Sequence, residues 1–234
     1  MNVEKYDKEY YFELSNTNLN SLFKDIKYIW EVLPNIKEWI LANLVCSIKG
    51  KIENNTFIGK NVSIGEGTVI ESGAYIKGPA IIGENVFIRH GAYLRENCII
   101  ENNCIVGHAS EIKNSIMLNG SAASHFGYVG DTILGNGVNL GAGCKISNYK
   151  NDGKEIIVRI NEEKFRTGLE HFGAIIGDKS RIGCNAVTNP GTLIGKNCII
   201  YPCSSIKGIL ESNTIVKLRQ EIEVVKKREN FAKN

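Results

Sequence analysis

A histidine and a tyrosine that could do chemistry lie close together in the segment from Gly120 to Tyr149, which reads GSAASHFGYVGDTILGNGVNLGAGCKISNY. This segment interrupts a six-residue rhythm that runs on either side of it, so its His125 need not face inward as packing. An imidazole can accept a proton from an attacking amine or hydroxyl near neutral pH. His125 is therefore a candidate general base, and a purely structural histidine is the alternative that the spacing leaves open.

Three cationic residues form a second candidate group, because Lys77, Arg95 and Lys113 recur at intervals of 18 residues. Each follows an aliphatic residue directly, in a slot that we expect to point outward. If the chain coils every 18 residues, their backbones lie about 4.8 Å apart, and each close pair repels by roughly 1 kcal/mol in water. A bound phosphate would turn that cost into binding. The alternative is that the long side chains splay into solvent.

The remaining histidines give a weaker signal. His90 and His108 are also 18 residues apart, so they could stack, and two stacked histidines suit a zinc site. A third suitably placed histidine is not evident, so we predict no metal site. His171 has no role that the sequence assigns.

These side chains must be held in place by the elements around them, and those elements follow a strict six-residue period. An internal repeat of this length indicates a parallel β-helix. Small or β-branched residues follow each aliphatic residue by four positions, and Asn or Gly follows by three, where a tight corner needs positive φ. The aliphatic positions are Ile52, Ile58, Ile64, Ile70, Ile76, Ile82, Ile88, Leu94, Ile100, Val106, Ile112 and Leu118.

The period resumes after the first interruption and breaks once more. It returns at Leu134, Leu140 and Ile146, stops over about 148–173, and runs again from Ile176 to Ile206. The second break contains EIIVRINEEKFRTG, whose alternation predicts a two-stranded hairpin over about 154–168. We therefore predict one β-helical domain over 48–215 and a strand-like basic tail over 216–234.

The N-terminal residues 1–47 lack the period and carry helical signals instead. Ser15 or Asn16 could cap a helix over roughly Leu19 to Leu33, where apolar residues recur at helical spacing. Pro34 suits the first turn of a second helix in NIKEWILANL. We expect this segment to be a cap packed on the end of the next domain, and a partner-binding helical hairpin is the alternative.

Composition excludes several classes of protein. A net charge of +3 argues against non-specific nucleic-acid binding. No run of residues approaches the length of a membrane span, and the first residues do not read as a signal peptide, so we expect a cytoplasmic protein. The seven cysteines form no CxxC pair, and four of them fall in the small inward slot, where a thiol acts as a small hydrophobe: Cys98, Cys104, Cys144 and Cys198.

The pattern resembles the hexapeptide-repeat family, whose fold is a left-handed parallel β-helix of triangular section with three hexads to a coil. The resemblance becomes specific at Gly120–Tyr149. That segment is similar to the acetyltransferase domain of the bifunctional N-acetylglucosamine-1-phosphate uridyltransferase/glucosamine-1-phosphate acetyltransferase family, with its GS…H..Y.GD…G..VN.GAG….NY pattern. LREN at Leu94–Asn97 and EIK at Glu111–Lys113 fall at that family's spacing too. The resemblance covers about 52–208.

This resemblance implies roles for individual residues. His125 corresponds to the general base, and Ala174, Cys184 and Tyr201 correspond roughly to positions that contact acetyl-CoA. Cys184 and Tyr201 depart from the small residues of the family there. The residues that correspond to contacts with the sugar phosphate are Arg95, Lys113, Tyr128, Asn139, Asn148 and Lys154.

The resemblance also implies a function. It implies a homotrimeric acetyltransferase that uses acetyl-CoA, needs no metal for acetyl transfer, and acts on glucosamine or galactosamine 1-phosphate. The nucleotidyltransferase domain of the family is missing from this sequence, so a separate nucleotidyltransferase is a possible partner. Three alternatives stay open: an acyltransferase with another sugar acceptor, a non-catalytic trimeric scaffold, and a zinc hydrolyase of the carbonic anhydrase type.

Overall fold

The hexads fold into a parallel β-helix, in a computed structural model that describes residues 4–226. Each coil contributes one short strand to each of three sheets, and these sheets form three faces that run along the β-helix. Side chains at the period positions, such as Ile70, Ile88 and Val106, are fully buried in one continuous core. The nearly all-β fold that the period predicts is confirmed.

We number the faces in chain order. Face 1 consists of Lys51–Ile52 (β1), Val69–Ile70 (β4), Phe87–Ile88 (β7), Ile105–His108 (β10), Ala122–His125 (β13), Asn139–Leu140 (β16), Arg181–Ile182 (β21), Ile199–Ile200 (β24) and Ile215–Val216 (β27). Face 2 consists of Phe57–Ile58 (β2), Tyr75–Ile76 (β5), Tyr93–Leu94 (β8), Glu111–Lys113 (β11), Tyr128–Gly130 (β14), Lys145–Ile146 (β17), Val187–Thr188 (β22) and Ser205–Ile206 (β25). Face 3 consists of Val62–Ile64 (β3), Ala80–Ile82 (β6), Cys98–Ile100 (β9), Ser115–Met117 (β12), Ile133–Leu134 (β15), Ala174–Ile176 (β20), Thr192–Ile194 (β23) and Ile209–Leu210 (β26).

The corners and the small inward positions follow the repeat as predicted. Asn61, Asn85 and Asn97 have φ between 54° and 61°, which is the left-handed region that Asn tolerates better than most residues. The four cysteines of the inward slot are buried. Burial raises the pKa of the Cys104 thiol to about 11, so this thiol is protonated and unreactive at neutral pH.

The stacking register explains why the rhythm breaks at His125. Residues 18 apart pair in the early coils, as Tyr75 does with Tyr93. From β11 to β14 the offset falls to 17, because the corner before β12 and the corner before β15 are each one residue shorter. The inward residue of β12 is therefore Met117, and the inward assignment of Leu118 is wrong: Leu118 packs outside the β-helix.

The predicted hairpin insert is confirmed. Ile157–Ile160 (β18) pairs with Glu163–Arg166 (β19) in antiparallel register, and Asn161 turns the chain with a φ of 55°. Val158 and Ile160 are buried against the outer surface of face 3.

The N-terminal segment differs from the prediction in two respects. Its helices are Lys8–Tyr11 (α1), a 3-10 helix over Ile29–Asn35, and Ile36–Asn43 (α2), so the second helix is confirmed while the helix over Leu19 to Leu33 is wrong. The segment also lies along the side of face 3 instead of capping an end. The reason is that the outward side chains of face 3, including Ile99, Ile133 and Ile175, are apolar and need a cover.

The C-terminal tail is a strand only at its start, where β27 pairs with β24. Residues 217–226 have no regular secondary structure, so the predicted strand does not continue there, and residues 227–234 of that prediction lie outside the described residues. Within residues 4–226, no helix combines the length and the apolar character that crossing a membrane requires.

Candidate functional site

The three predicted cations lie in one outward column of face 2, in register with one another. They are not an isolated column of like charge, because carboxylates lie between them. Lys77 Nζ is 2.9 Å from Glu96, and Arg95 is 3.4 Å from Glu96 and 3.1 Å from Glu111. The repulsion that spacing predicts is therefore offset within the chain. The Glu111 carboxylate raises the pKa of Arg95, so this guanidinium is always charged.

A buried carboxylate anchors the third cation. Asp131 is 4% exposed, and its Oδ2 lies 3.0 Å from Lys113 Nζ. The same carboxylate accepts hydrogen bonds from the side-chain amides of Asn114, at 2.8 Å, and of Asn148. It thereby joins two predicted substrate-binding residues, Lys113 and Asn148, in one network.

Tyr128 completes this network from the neighbouring column. Its hydroxyl donates to Asn148 Oδ1 at 3.4 Å, and its ring lies over the backbone of Gly130. A Cβ at Gly130 would come within 2.6 Å of that hydroxyl, so glycine is what allows the close approach. Burial, and then the charges of Asp131 and Glu111, raise the pKa of Tyr128 and keep it a hydrogen-bond donor.

His125 lies at a different place in the coil. It ends β13 at the corner between faces 1 and 2, where it is exposed and pairs in register with His108. Its ring contacts the ring of Phe126 at a centroid distance of 6.4 Å. No hydrogen bond joins the His125 side chain to another described residue, so an imidazole nitrogen is free to face a ligand. His125 and the face-2 cluster are close in sequence, but the structure records no direct contact between them.

Two other predicted sugar-binding residues stand apart from the cluster. Asn139 begins β16 on face 1, between Ala122 and Arg181. Lys154 is exposed in the loop before the hairpin, where its backbone N–H donates to Asp152 Oδ1 at 3.1 Å. Their roles stay predictions.

The three predicted coenzyme positions do not lie together. Cys184 and Tyr201 are exposed at the same corner, between faces 1 and 2, on neighbouring coils. Ala174 is fully buried at the start of β20 on face 3, and its N–H donates to Thr132 Oγ1. The prediction for Ala174 is wrong, since a residue without exposed surface cannot contact a coenzyme.

Sequence reasoning missed some residues of these sites. Ala142 lies next to Cys184 at the corner, because its carbonyl accepts the N–H of Asn185 at 2.8 Å. Counting back by 18 residues fails there, since the hairpin insert separates the two coils. The acids Glu96, Glu111 and Asp131 were also missed, although each lies 16 to 19 residues along the chain from the cation that it contacts.

The two stacked histidines are present as predicted. The rings of His90 and His108 are parallel within 10° at a centroid distance of 5.5 Å, and the Nδ1 atom of His108 lies 2.7 Å from the His90 carbonyl oxygen. The next ring in the column is that of Phe126, not a third histidine. Among residues 4–226 there is no group of three His, Cys, Asp or Glu side chains that could hold a metal ion.

Two cavities lie near polar side chains. The larger, of about 1010 Å³, lies between the N-terminal segment and the corner of faces 3 and 1, far from the face-2 cluster, and includes Asp178. The smaller, of about 400 Å³, adjoins Asn148 and is lined by Ser147 and Tyr149. The ring of His171, which the sequence left without a role, stacks on Tyr149 at 4.9 Å.

Family models match three parts of the chain. The model of the GMPPB C-terminal domain matches residues 76–165, that of the hexapeptide repeat of succinyl-transferase matches residues 51–77, and that of the bacterial transferase hexapeptide (six repeats) matches residues 173–208.

Curated relatives match most of the chain. The Bifunctional protein GlmU of Methanococcus maripaludis is 46% identical over 216 residues, which are 92% of this chain and 52% of the relative. The bifunctional sugar-1-phosphate nucleotidylyltransferase/acetyltransferase of Sulfurisphaera tokodaii is 37% identical over 76% of this chain and 44% of the relative. The chain spans about half the length of the curated relatives that it matches. A solved UDP-N-acetylglucosamine acyltransferase from Campylobacter jejuni is 17% identical, with a TM-score of 0.41 over 69% of each chain, which is too weak to carry an argument.

Proposed function

Because this chain belongs to the hexapeptide-repeat acyltransferase family, we propose that it transfers the acetyl group of acetyl-CoA to the amine of an amino-sugar 1-phosphate. Glucosamine and galactosamine 1-phosphate are the two acceptors we propose, as precursors of nucleotide sugars. The printed name of the Sulfurisphaera relative joins a sugar-1-phosphate to acetyl transfer, which supports this acceptor class.

The observation that carries the proposal is the cluster of Arg95, Lys113, Tyr128 and Asn148 on the outer side of face 2. Two cations, a phenol and an amide suit a phosphate joined to a hydroxyl-rich ring. A phosphate that reaches Arg95 must displace or share the Glu111 carboxylate. Glu111 is about one-third exposed, so it can turn to solvent at small cost.

The reaction that we propose is direct transfer. The acceptor amine attacks the thioester carbonyl carbon, a C–N bond forms, and the C–S bond breaks to release CoA as a thiol. His125 accepts the proton of the amine and passes it to the leaving thiolate. Backbone N–H groups of the later coils stabilise the oxyanion that forms on the carbonyl oxygen. No covalent enzyme intermediate is needed.

Acetyl-CoA is the cosubstrate in this proposal, and no metal takes part. We place the coenzyme along the corner between faces 1 and 2, where Cys184 and Tyr201 are exposed. Ala142, which lies beside Cys184, joins this set. His125 occupies the same corner on an earlier coil, so a thioester lying along the corner would approach it.

We also propose that the protein acts as a homotrimer and cooperates with a separate nucleotidyltransferase. Its relatives are named as bifunctional proteins, and this chain matches only about half of their length. A nucleotidyltransferase would then consume the acetylated sugar phosphate as its substrate.

Release of thiol from acetyl-CoA, measured against a panel of acceptors, tests the proposal. We expect release with an amino-sugar 1-phosphate and little with the unphosphorylated amino sugar. Release with only a hydroxyl acceptor or a nucleotide-linked sugar would favour a different acyltransferase. If no acceptor releases thiol, the chain is a non-catalytic scaffold and the proposal fails.

A further inference from the structure

The backbone fixes Asp131 in the middle of the face-2 cluster. It occupies the shortened corner between β14 and β15 with a φ of 49°, which a short polar side chain such as Asp tolerates better than most. Its N–H donates to the Lys113 carbonyl at 2.9 Å, and its carbonyl accepts the N–H of Gly173 at 2.8 Å. The corner is therefore tied to the coils on both sides, and the carboxylate has little freedom to move.

This carboxylate determines how its neighbours are oriented. Its Oδ2 accepts from Lys113 Nζ and from Asn148 Nδ2, while its Oδ1 accepts from Asn114 Nδ2. With its amino end held at Asp131, the amide of Asn148 must present its oxygen toward the Tyr128 hydroxyl. A carbonyl oxygen has two lone pairs, so it can still accept from a ligand.

We propose that Asp131 is the positioning residue of the acceptor site. It holds the Lys113 ammonium in place, and it sets the Asn148 amide so that an oxygen, and not an NH₂ group, faces the acceptor. An acceptor with a hydrogen-bond donor, an amine or a hydroxyl, beside its anionic group is thereby selected. This inference rests on the proposed function for the identity of the acceptor, but the arrangement of the side chains can be tested without it.

Asp131→Asn tests the role with almost no change of volume. The new side chain has one donor end, so it cannot accept all three hydrogen bonds, and Lys113 loses its charge partner. We expect the KM for the amino-sugar phosphate to rise at least tenfold, about the effect of losing one charge-assisted hydrogen bond. The KM for acetyl-CoA should change less than about twofold, because the coenzyme lies along another corner.

Asp178→Asn is the matched control. Asp178 is 5% exposed and likewise accepts three hydrogen bonds, from Glu13 N and from two nitrogens of Asn136, but at the corner of faces 3 and 1. We expect Asp178→Asn to lower thermal stability and to leave both KM values unchanged. If both variants lower stability alike and neither changes the KM for the acceptor, Asp131 is structural only and the proposal is overturned.

A tyrosine titration by ultraviolet absorbance gives a readout that does not need catalysis. The charge of Asp131 helps to raise the pKa of Tyr128, so Asp131→Asn should lower that pKa, measured as the difference from Tyr128→Phe in each background. Asp178→Asn should show no such change. A wild-type protein that acetylates no amino-sugar phosphate but shows this shift would sink the proposed function and keep the positioning network. No shift would overturn the network, whether or not the enzyme is active.

Discussion

The side chains of the face-2 cluster form a set of balanced charges in which only some members can move. Lys77, Arg95 and Lys113 each have a carboxylate partner on the neighbouring coil or corner. Glu111 is 33% exposed and Asp131 only 5%. A bound phosphate should therefore displace Glu111 from Arg95 and leave Asp131 in contact with Lys113.

His125→Ala tests the proposed base. One general base typically contributes about 10²–10⁴-fold to the rate, so kcat should fall by that factor. His125 is exposed and makes no hydrogen bond with its ring, so the variant should keep the thermal stability of the wild type.

Steady-state kinetics and a melting curve measure both effects. His108→Ala is the control, since this ring lies in the adjacent coil of the same face but outside the proposed chemistry. Unchanged kcat in His125→Ala, or an equal loss in both variants, would remove the assignment.

The sequence predicts this site in part, and the reason lies in the register. Spacing and charge together indicate Arg95 and Lys113, because both lie in coils of 18 residues. Asp131 is 18 residues after Lys113, yet the coil there has 17, so the acid falls one step beyond the column and into the corner. No regular count along the chain reveals that shift, since a shortened corner depends on how the coils pack.

Among the elements, face 3 determines where the N-terminal segment lies. The outward side chains of face 3 are apolar, so the segment and the β18–β19 hairpin cover them together. Trp30 is 1% exposed and stacks on Tyr28 at 5.0 Å, and both rings pack near Phe165 of the hairpin. The segment thus belongs to the same folded unit as the β-helix.

Trp30→Ala should destabilise the whole protein. Removing a large buried aromatic side chain typically costs about 3–5 kcal/mol, because it loses burial and leaves a cavity. Val45→Ala, in the same segment but at a side chain that is 76% exposed, should change the free energy of unfolding by less than about 0.5 kcal/mol. Urea unfolding measures both. A similar small loss in the two variants would mean that the segment does not stabilise face 3.

The failed helix of this segment shows what periodicity cannot resolve. Leu22, Phe23 and Ile26 recur at helical spacing, but the chain turns there, with Asp25 at a φ of 59°. Apolar residues at this spacing need an apolar surface, and a flat sheet can supply it as well as a helix groove can. The short helix α2 follows Pro34 closely, and there the local signal and the packing agree.

At the scale of the whole molecule, face 2 presents an apolar stripe beside the cation column. Phe57, Tyr75 and Tyr93 are each at least 36% exposed and form a continuous stack, with centroid distances of 4.2 and 5.4 Å. A run of exposed aromatic rings of this kind marks a surface that a protein partner covers. This stripe supports the proposed trimer, with a second copy of the chain as that partner.

Sedimentation equilibrium tests the trimer. The expected mass is three times that of the 25.9 kDa chain. Tyr75→Glu should shift the distribution toward monomers, because it places a charge in the aromatic stripe. Lys164→Glu, at an exposed position of the hairpin, is the control and should keep the wild-type mass. A monomeric wild-type protein at concentrations where it is active would contradict this proposal.

The central claim is that the face-2 cluster binds the phosphate of the acceptor, and the two KM values of Arg95→Gln test it most directly. We expect the KM for the amino-sugar 1-phosphate to rise about 10- to 100-fold, the effect of losing one charge-assisted contact, while the KM for acetyl-CoA stays within about twofold. Arg159→Gln, an exposed arginine of the hairpin, should change neither value. A larger rise in the KM for acetyl-CoA than in that for the sugar phosphate would contradict the claim.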